Sequence, residues 1–399
     1  MQLVLNPDAV LNDPAANVIY NVRSGERYEA SKDTLSLLAL FAEPTSPERA
    51  VAGLDPLSEN DRETVLRFIE QLGEAGLLIQ TDEVGQVCSD IARPKTELAF
   101  PNRTMFSCPG RTIDALSDET IVFVGSTFDL GSTGYPGSRY APDRIRELSS
   151  DAFEYHADIC SGRNRGWHSY ETDRNVLAGT TAADIGNVLL QVGEDFGDYF
   201  GRLQRVMTRV ISHGSFPVLV GGDHSITYAA VKAFDQPSMG IIHIDAHTDL
   251  GQLIRGISHN HGNVFTRLRQ EGFAGNLVQL GIRSFAGKTP SDTGYKLVTA
   301  RSLQYDDLAA ALEPIDTSKQ WYVTIDVDVL NPAFAPGVGT PVTGGLSPAQ
   351  LNALLSQLAN RARIVGCDLV EVNPMRDLND ATSILAIEVL LHFLGEIFV

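Results

Sequence analysis

The chain reads as an α/β protein, a parallel sheet flanked by helices, preceded by a small α+β domain of winged-helix-like make-up. Three observations predict this. Between residues 119 and 399, short apolar runs rich in β-branched residues alternate with helical stretches, the pattern of strands buried on both faces and joined by crossover helices. Three of those runs end in histidine and aspartate, which suits the ligand crevice that open α/β sheets form at their strands' carboxyl ends. Residues 1–82 follow another order, strands first and helices after, and so read as a module of their own.

A length of 399 residues accommodates such a pair of domains. The 43% hydrophobic and 20% charged fractions are those of a soluble globular protein. A formal net charge of -19 argues against nucleic acid or an anionic membrane as partner, and suits a cationic substrate or plain solubility. Cys88, Cys108, Cys160 and Cys367 are far apart with no CxxC pair, which points to reduced thiols in a cytoplasmic protein. The start, Met1 to Asn6, has no basic segment followed by a long apolar one, so no signal peptide is expected.

In the first module, strands are expected at Gln2 to Leu5, Val18 to Val22 and Arg27 to Ala30, with Ser24-Gly25 as a hairpin turn. Ser31 is placed to cap a helix running to about Ala42, whose Leu35, Leu38, Ala39 and Ala42 share a face. A short helix over Pro47 to Ala52 and a longer one over Asn60 to Gly76 follow, and Leu77 to Gln80 closes the module as a strand. The run Tyr20-Asn21-Val22-Arg23-Ser24-Gly25-Glu26-Arg27-Tyr28-Glu29-Ala30, with Phe68 to Leu78 and its Gly-Leu-Leu ending, resembles the PqqD-like domains that recognise leader peptides. That resemblance implies docking of an extended peptide along a strand edge, and a precursor peptide with its leader as partner. A cap used for oligomerisation or regulation is the plainer reading. Residues 83–118 lose periodicity, contain Pro94, Pro101 and Pro109, and read as a linker.

The second domain, 119–399, opens with a strand at Thr120 to Gly125 and a helix from Ala141 with proline in its first turn. Strands are then expected at Gly186 to Leu190, Pro217 to Val220, Ile241 to Ile244, Leu277 to Leu280, Tyr322 to Ile325 and Ile364 to Val370, with a long helix from about Asp195 to His213. Residues 153 to 184 are less regular and receive no role.

Three strand ends carry the chemistry. Gly221-Gly222-Asp223-His224-Ser225 turns sharply on its glycines and brings His224 to the sheet's end. In Asp245-Ala246-His247-Thr248-Asp249, alternation along an extended chain would point Asp245, His247 and Asp249 to one side. Asp326-Val327-Asp328 adds two more carboxylates. Two imidazoles and four carboxylates suit two divalent first-row metals with mainly oxygen ligands, as manganese favours, although nickel, cobalt or iron would fit the same donors. Asp223 is expected to support its turn, His243 to be a buried histidine facing away from the ligands, and His259 to be a loop residue.

Together with His261-Gly262 and the run from Pro332 through Gly339-Thr340-Pro341 to Gly344-Gly345-Leu346, these motifs resemble the ureohydrolases, arginase and agmatinase among them. The resemblance spans about residues 120 to 399. It implies an arginase-like fold with a binuclear manganese site: one metal on His224, Asp245, Asp249 and Asp326, the other on Asp245, His247, Asp326 and Asp328. It also implies that the metals lower the pKa of a shared water, that Asp249 orients it, and that His261 carries a proton to the leaving amine. Glu371, in Asp368-Leu369-Val370-Glu371-Val372-Asn373-Pro374, matches the carboxylate that holds the guanidinium. Trimers or hexamers are the family's usual assemblies.

Substrate choice is expected to rest on the loop Leu250 to Asn260, where Ser258 and Asn260 are the candidate substrate contacts. This loop is more apolar than recognition of a free amino acid calls for. With the first module, it makes conversion of arginine residues of a ribosomally made peptide to ornithine the expected reaction. A small-molecule ureohydrolase with a regulatory first domain is the alternative.

Overall fold

The computed structural model describes residues 2–5, 9–12, 18–21, 27–29, 31–41, 44–54, 56–74, 77–80, 98–99, 102–117, 119–153, 163–191, 194–234, 239–252, 260–283, 285 and 295–399. The chain divides into two compact units, Met1–Glu97 and Leu98–Val399.

The first unit contains β1 (Leu3–Leu5), β2 (Ala9–Asn12), β3 (Val18–Asn21) and β4 (Arg27–Glu29), three helices (Lys32–Ala39, Pro47–Ala52 and Glu59–Glu74), and β5 (Leu78–Gln80). Strand β1 pairs antiparallel with β5, while β2, β3 and β4 form a separate antiparallel sheet. Ser31 caps the first helix as expected, its hydroxyl accepting the Thr34 N–H at 3.1 Å. Leu38, Phe41, Val51, Ile69 and Leu72 form the core between the helices. Strand β2 was not foreseen, because Ala-Val-Leu between polar neighbours is too short to show a period. The expected turn at Ser24-Gly25 lies outside the described residues.

The second unit is built on a nine-stranded sheet ordered β14-β13-β12-β15-β16-β11-β7-β10-β6. Its members are β6 (Leu98–Ala99), β7 (Ile121–Ser126), β10 (Ala182–Val188), β11 (Phe216–Gly221), β12 (Gly240–Ile244), β13 (Leu277–Ile282), β14 (Lys296–Thr299), β15 (Gln320–Asp326) and β16 (Arg363–Val370). All neighbours are parallel except β6 and β10. A small hairpin of β8 (Trp167–Ser169) and β9 (Arg174–Val176) stands apart from it. Two apolar clusters, one around Ile242, Val323 and Leu390 and the other around Leu219, Phe200 and Phe265, are built on alternate residues of the same strands. No helix of the described residues is long and apolar enough to cross a membrane.

Two expectations change here. The linker expected over 83–118 is cut short, since Leu98–Ala99 pairs with β10 and Met105, Phe106 and Cys108 are buried in the larger unit. Strand β10 begins at Ala182 rather than Gly186. Its start was hidden by Asp184, a carboxylate that sits inside the strand because Arg146 neutralises it at 2.8 Å.

Candidate active site

Four adjacent strands, β12, β15, β16 and β11, bring the site together. Parallel register levels their carboxyl ends: Ile244 lies opposite Ile325, Asp326 opposite Val370, and Leu369 opposite Val220. Beyond β11 the chain passes so close to Phe128 that a Cβ on Gly222 would stand 1.6 Å from the Phe128 carbonyl oxygen, so only glycine fits there. A tight turn over His224–Ile226 follows, capped by Asp223, whose Oδ1 accepts the Ser225 N–H at 3.0 Å.

His224 is the hub. Its buried Nδ1 lies 3.0 Å from Asp245 Oδ2, 3.1 Å from Asp249 Oδ2 and 3.2 Å from Asp326 Oδ2. On the other ring edge, Nε2 is 2.8 Å from Thr324 Oγ1, which is 3.3 Å from Thr227 Oγ1, and Thr227 donates to Asp368 Oδ2 at 2.9 Å. With Asp368 as final acceptor, the chain runs one way, from Nε2–H through both hydroxyls. The Nδ1 lone pair is thereby left to face the carboxylates.

A second group gathers on the other side of Asp245. His247 Nδ1 lies 2.9 Å from Asp328 Oδ2 and 3.4 Å from Asp245 Oδ1. Asp328 Oδ1 accepts the Ala246 N–H at 3.1 Å, and Asp326 Oδ1 accepts the Asp328 N–H at 2.8 Å. The convergence is not the expected alternation along an extended strand. Strand β12 stops at Ile244, and Asp245 to Asp249 is a turning loop in which Asp249 adopts a left-handed φ of 49°.

His243 does not face away from the ligands. It stands two residues before Asp245, hence on the same side, and its Nε2 is 2.7 Å from Asp245 Oδ2. The Gln279 carboxamide nitrogen donates to the Thr248 carbonyl at 2.7 Å and to His243 Nδ1 at 2.9 Å. His243 therefore carries its proton on Nε2 and donates it to Asp245, the usual support for a ligating carboxylate. Thr324, His243 and Gln279 were all missed from sequence. The first two lie two residues before a ligand and were legible in principle, whereas Gln279 faces His243 only through the pairing of β12 with β13.

The charges among these side chains are unbalanced. Burial opposes a charge on His224, but Asp245, Asp249 and Asp326 together hold its pKa well above the ordinary value. Burial likewise opposes His247, which Asp245 and Asp328 push up to about 12. Burial and the adjacent Asp328 and Asp245 drive Asp326 well above the carboxylate range, and burial with Asp245 raises Asp328. Asp245, despite burial, is held far below that range by His243, His224 and His247. His224 Nδ1 and Asp328 Oδ2 are buried without a hydrogen bond. Unpaired electron-pair donors, a ring nitrogen and carboxylate oxygens, crowded in two groups that share Asp245, fit two divalent cations.

Glu371 and His261 close the site from the other side. Glu371 follows β16 with a left-handed φ of 65°, pinned by its N–H to the Gly222 carbonyl at 3.0 Å. Its Oε1 accepts the His224 N–H and faces His261 Nδ1, both at 3.0 Å. Its Oε2 has no partner among the described residues, and a Cβ on Gly339 would stand 3.4 Å from it. His261 Nε2 accepts the Thr133 N–H at 3.0 Å and lies 2.7 Å from Thr133 Oγ1. Burial opposes the imidazolium, but Glu371 raises His261 to about 9, while the Thr133 N–H favours the neutral ring protonated on Nδ1. Asp223, behind Glu371, is pushed up to about 7 by burial and the Glu371 charge. Asn260, expected at the substrate, is buried and its Oδ1 accepts the Gly262 N–H at 2.9 Å, capping the turn that presents His261. Ser258 and His259 lie outside the described residues.

Residues 119–395 match the profile of the arginase family. The chain belongs to that family. The chain is 32% identical over 284 residues to the mitochondrial agmatinase of Gallus gallus, a stretch covering 68% of this chain and 79% of that one. It is 31% identical over 284 residues to the mitochondrial guanidino acid hydrolase of Homo sapiens, covering 68% and 76%. Among solved structures, a hypothetical agmatinase from Burkholderia thailandensis superposes with a TM-score of 0.63 at 26% identity, covering 76% of this chain and 95% of that one. As an arginase-family protein with this His/Asp cluster, the chain is a binuclear-metal ureohydrolase.

Proposed function

We propose that the site hydrolyses the guanidinium of a small guanidine to urea and a free amine, with two manganese ions as cofactor. The observation that carries this reading is Glu371: a buried carboxylate with one oxygen fully engaged and the other free, set between His261 and the His/Asp cluster. A planar cation donating to Oε2 would satisfy that oxygen and place the guanidinium carbon toward the cluster.

His224, Asp245, His247, Asp249, Asp326 and Asp328 would hold the metals, with Asp245 shared. Bound divalent ions supply a water made acidic enough to give hydroxide near neutral pH, together with an electrophilic field for the developing tetrahedral carbon. Asp249, held in its left-handed turn, orients that water. Glu371 fixes the guanidinium. His261 takes a proton and delivers it to the departing nitrogen, with Thr133 keeping the ring in place. The C–N bond to the alkyl nitrogen breaks, a C=O bond forms, and the products are urea and an alkylammonium.

A second reading is favoured by one observation, the first unit. Among the described residues its β2-β3-β4 sheet has β4 at an edge, and the sequence of this unit carries the PqqD-like resemblance. On this reading the guanidinium belongs to an arginine residue of a leader-bearing peptide docked by strand addition. The deciding experiment measures urea from the manganese-loaded protein with agmatine, 4-guanidinobutanoate, arginine and an arginine-containing precursor peptide. Urea from a small guanidine is the expected result. Urea from the peptide alone would establish the second reading, and urea from none would end both.

A further inference from the structure

Resting on that proposed hydrolysis, the geometry points to Arg376 as the residue that selects a small ω-guanidino acid, a substrate with guanidinium at one end and carboxylate at the other. Arg376 and Tyr135 form a preorganised pair. The guanidinium carbon of Arg376 stands 3.8 Å from the centre of the Tyr135 ring, a close cation–π stack that holds a long side chain in one place. Both residues are exposed, Tyr135 at 58%. Among the described residues no carboxylate pairs with this arginine, in a chain whose formal net charge is -19.

The pair is built on the same segments as the reacting end of the site. Tyr135 lies four residues after Gly131, whose carbonyl accepts the His261 N–H at 3.1 Å, and its own N–H donates to the Gly339 carbonyl at 3.3 Å. Gly339 is the residue beside Glu371 Oε2. Asn373 lies two residues after Glu371. It donates to the Tyr135 carbonyl at 2.9 Å, and its own carbonyl accepts the Arg376 N–H at 3.0 Å. One short stretch therefore carries a carboxylate for the guanidinium at its start and an unpaired cation at its exposed end. A substrate fixed by Glu371 and extending outward meets a positive charge there. A terminal carboxylate is attracted and can be held bidentately, while a terminal ammonium is repelled.

The test compares kcat/KM of the manganese-loaded full chain for 4-guanidinobutanoate and for agmatine, which carries an ammonium in place of the carboxylate. Wild type is expected to prefer the acid. Arg376→Gln is expected to raise KM for the acid on the order of tenfold with kcat little changed, and to improve agmatine turnover severalfold. Arg376→Lys, keeping the charge without the planar fork, should recover part of the loss. Equal effects of Arg376→Gln on both substrates, an agmatine preference in wild type, or turnover confined to a peptide would overturn this inference while leaving the hydrolysis intact. No urea from any guanidine would overturn the proposed reaction itself, and the selection with it.

Discussion

Two groups of buried carboxylates in the same sheet are treated in opposite ways. Asp184, inside β10, faces Arg146, which is itself fully buried: Nε donates to Oδ2 at 2.8 Å and Nη2 to Oδ1 at 2.9 Å. The Met105 and Gly186 N–H groups complete its shell at 2.8 and 2.9 Å. At the ends of β12 and β15, Asp245, Asp249, Asp326 and Asp328 share three histidines, His224, His243 and His247, and among the described residues His224 Nδ1 and Asp328 Oδ2 stay without a hydrogen bond. A carboxylate that serves the fold brings its own cation and fills every lone pair. One that waits for a ligand leaves oxygens bare and bears the repulsion of its neighbours.

The contrast can be broken from either side. Asp245→Asn removes the carboxylate shared by both groups, and urea release should fall by more than about 10³-fold, with metal content, read by elemental analysis, dropping below that of wild type. The metal-free protein should also lose stability at neutral pH, because His243, His224 and His247 hold the buried Asp245 carboxyl far below its ordinary range, and loss of activity with metal content intact would refute the sharing. Arg146→Ala does the reverse. It strands Asp184 in the core, and should cost about 3–5 kcal/mol in denaturant unfolding, the usual penalty for breaking a buried pair. An Arg146→Ala protein as stable as wild type would show that the two groups are not different in kind.

Finer changes sharpen the same comparison. Asp326→Asn should stabilise the metal-free protein at neutral pH. Its carboxyl is held well above the usual range, so the proton's contribution is present below about pH 4, the unfolded value, and is lost as pH rises. The gain, followed by thermal unfolding, should vanish below that pH and reverse in manganese. At the surface, Glu271 accepts from Lys232 at 2.7 Å and from Tyr228 and Arg267; burial opposes its charge, but these three partners together lower it to about 2. Its stabilisation is present above about pH 4.5 and lost as pH falls through 2. Glu271→Gln should cost less than about 1 kcal/mol, because the group is largely solvated.

Much of the site was legible early because its residue types are rare at strand ends. His224, Asp245, His247, Asp249, Asp326 and Asp328 do converge, through a turning loop and not the expected alternation, and Glu371 and His261 meet at 3.0 Å. The misses have physical reasons. Asp184 disguised the start of β10 as a polar break, because sequence does not show that Arg146 lies opposite. Thr133 sits in a glycine-rich loop without periodicity, so nothing marked it as a partner of His261.

Sequence alone determined most strands of the large sheet and the residue types at their ends, since apolar periodicity and the chemistry of histidine and aspartate are local properties of the chain. Only the tertiary structure decided the order of the strands. Strands β15 and β16 come after β12 in sequence yet lie between β11 and β12, and that insertion brings Asp326 to His224 and Glu371 beneath the Gly222 carbonyl. The left-handed turns at Asp249 and Glu371 were equally beyond reach. Such conformations are unfavourable for a lone residue and persist only where the surrounding sheet ends hold them.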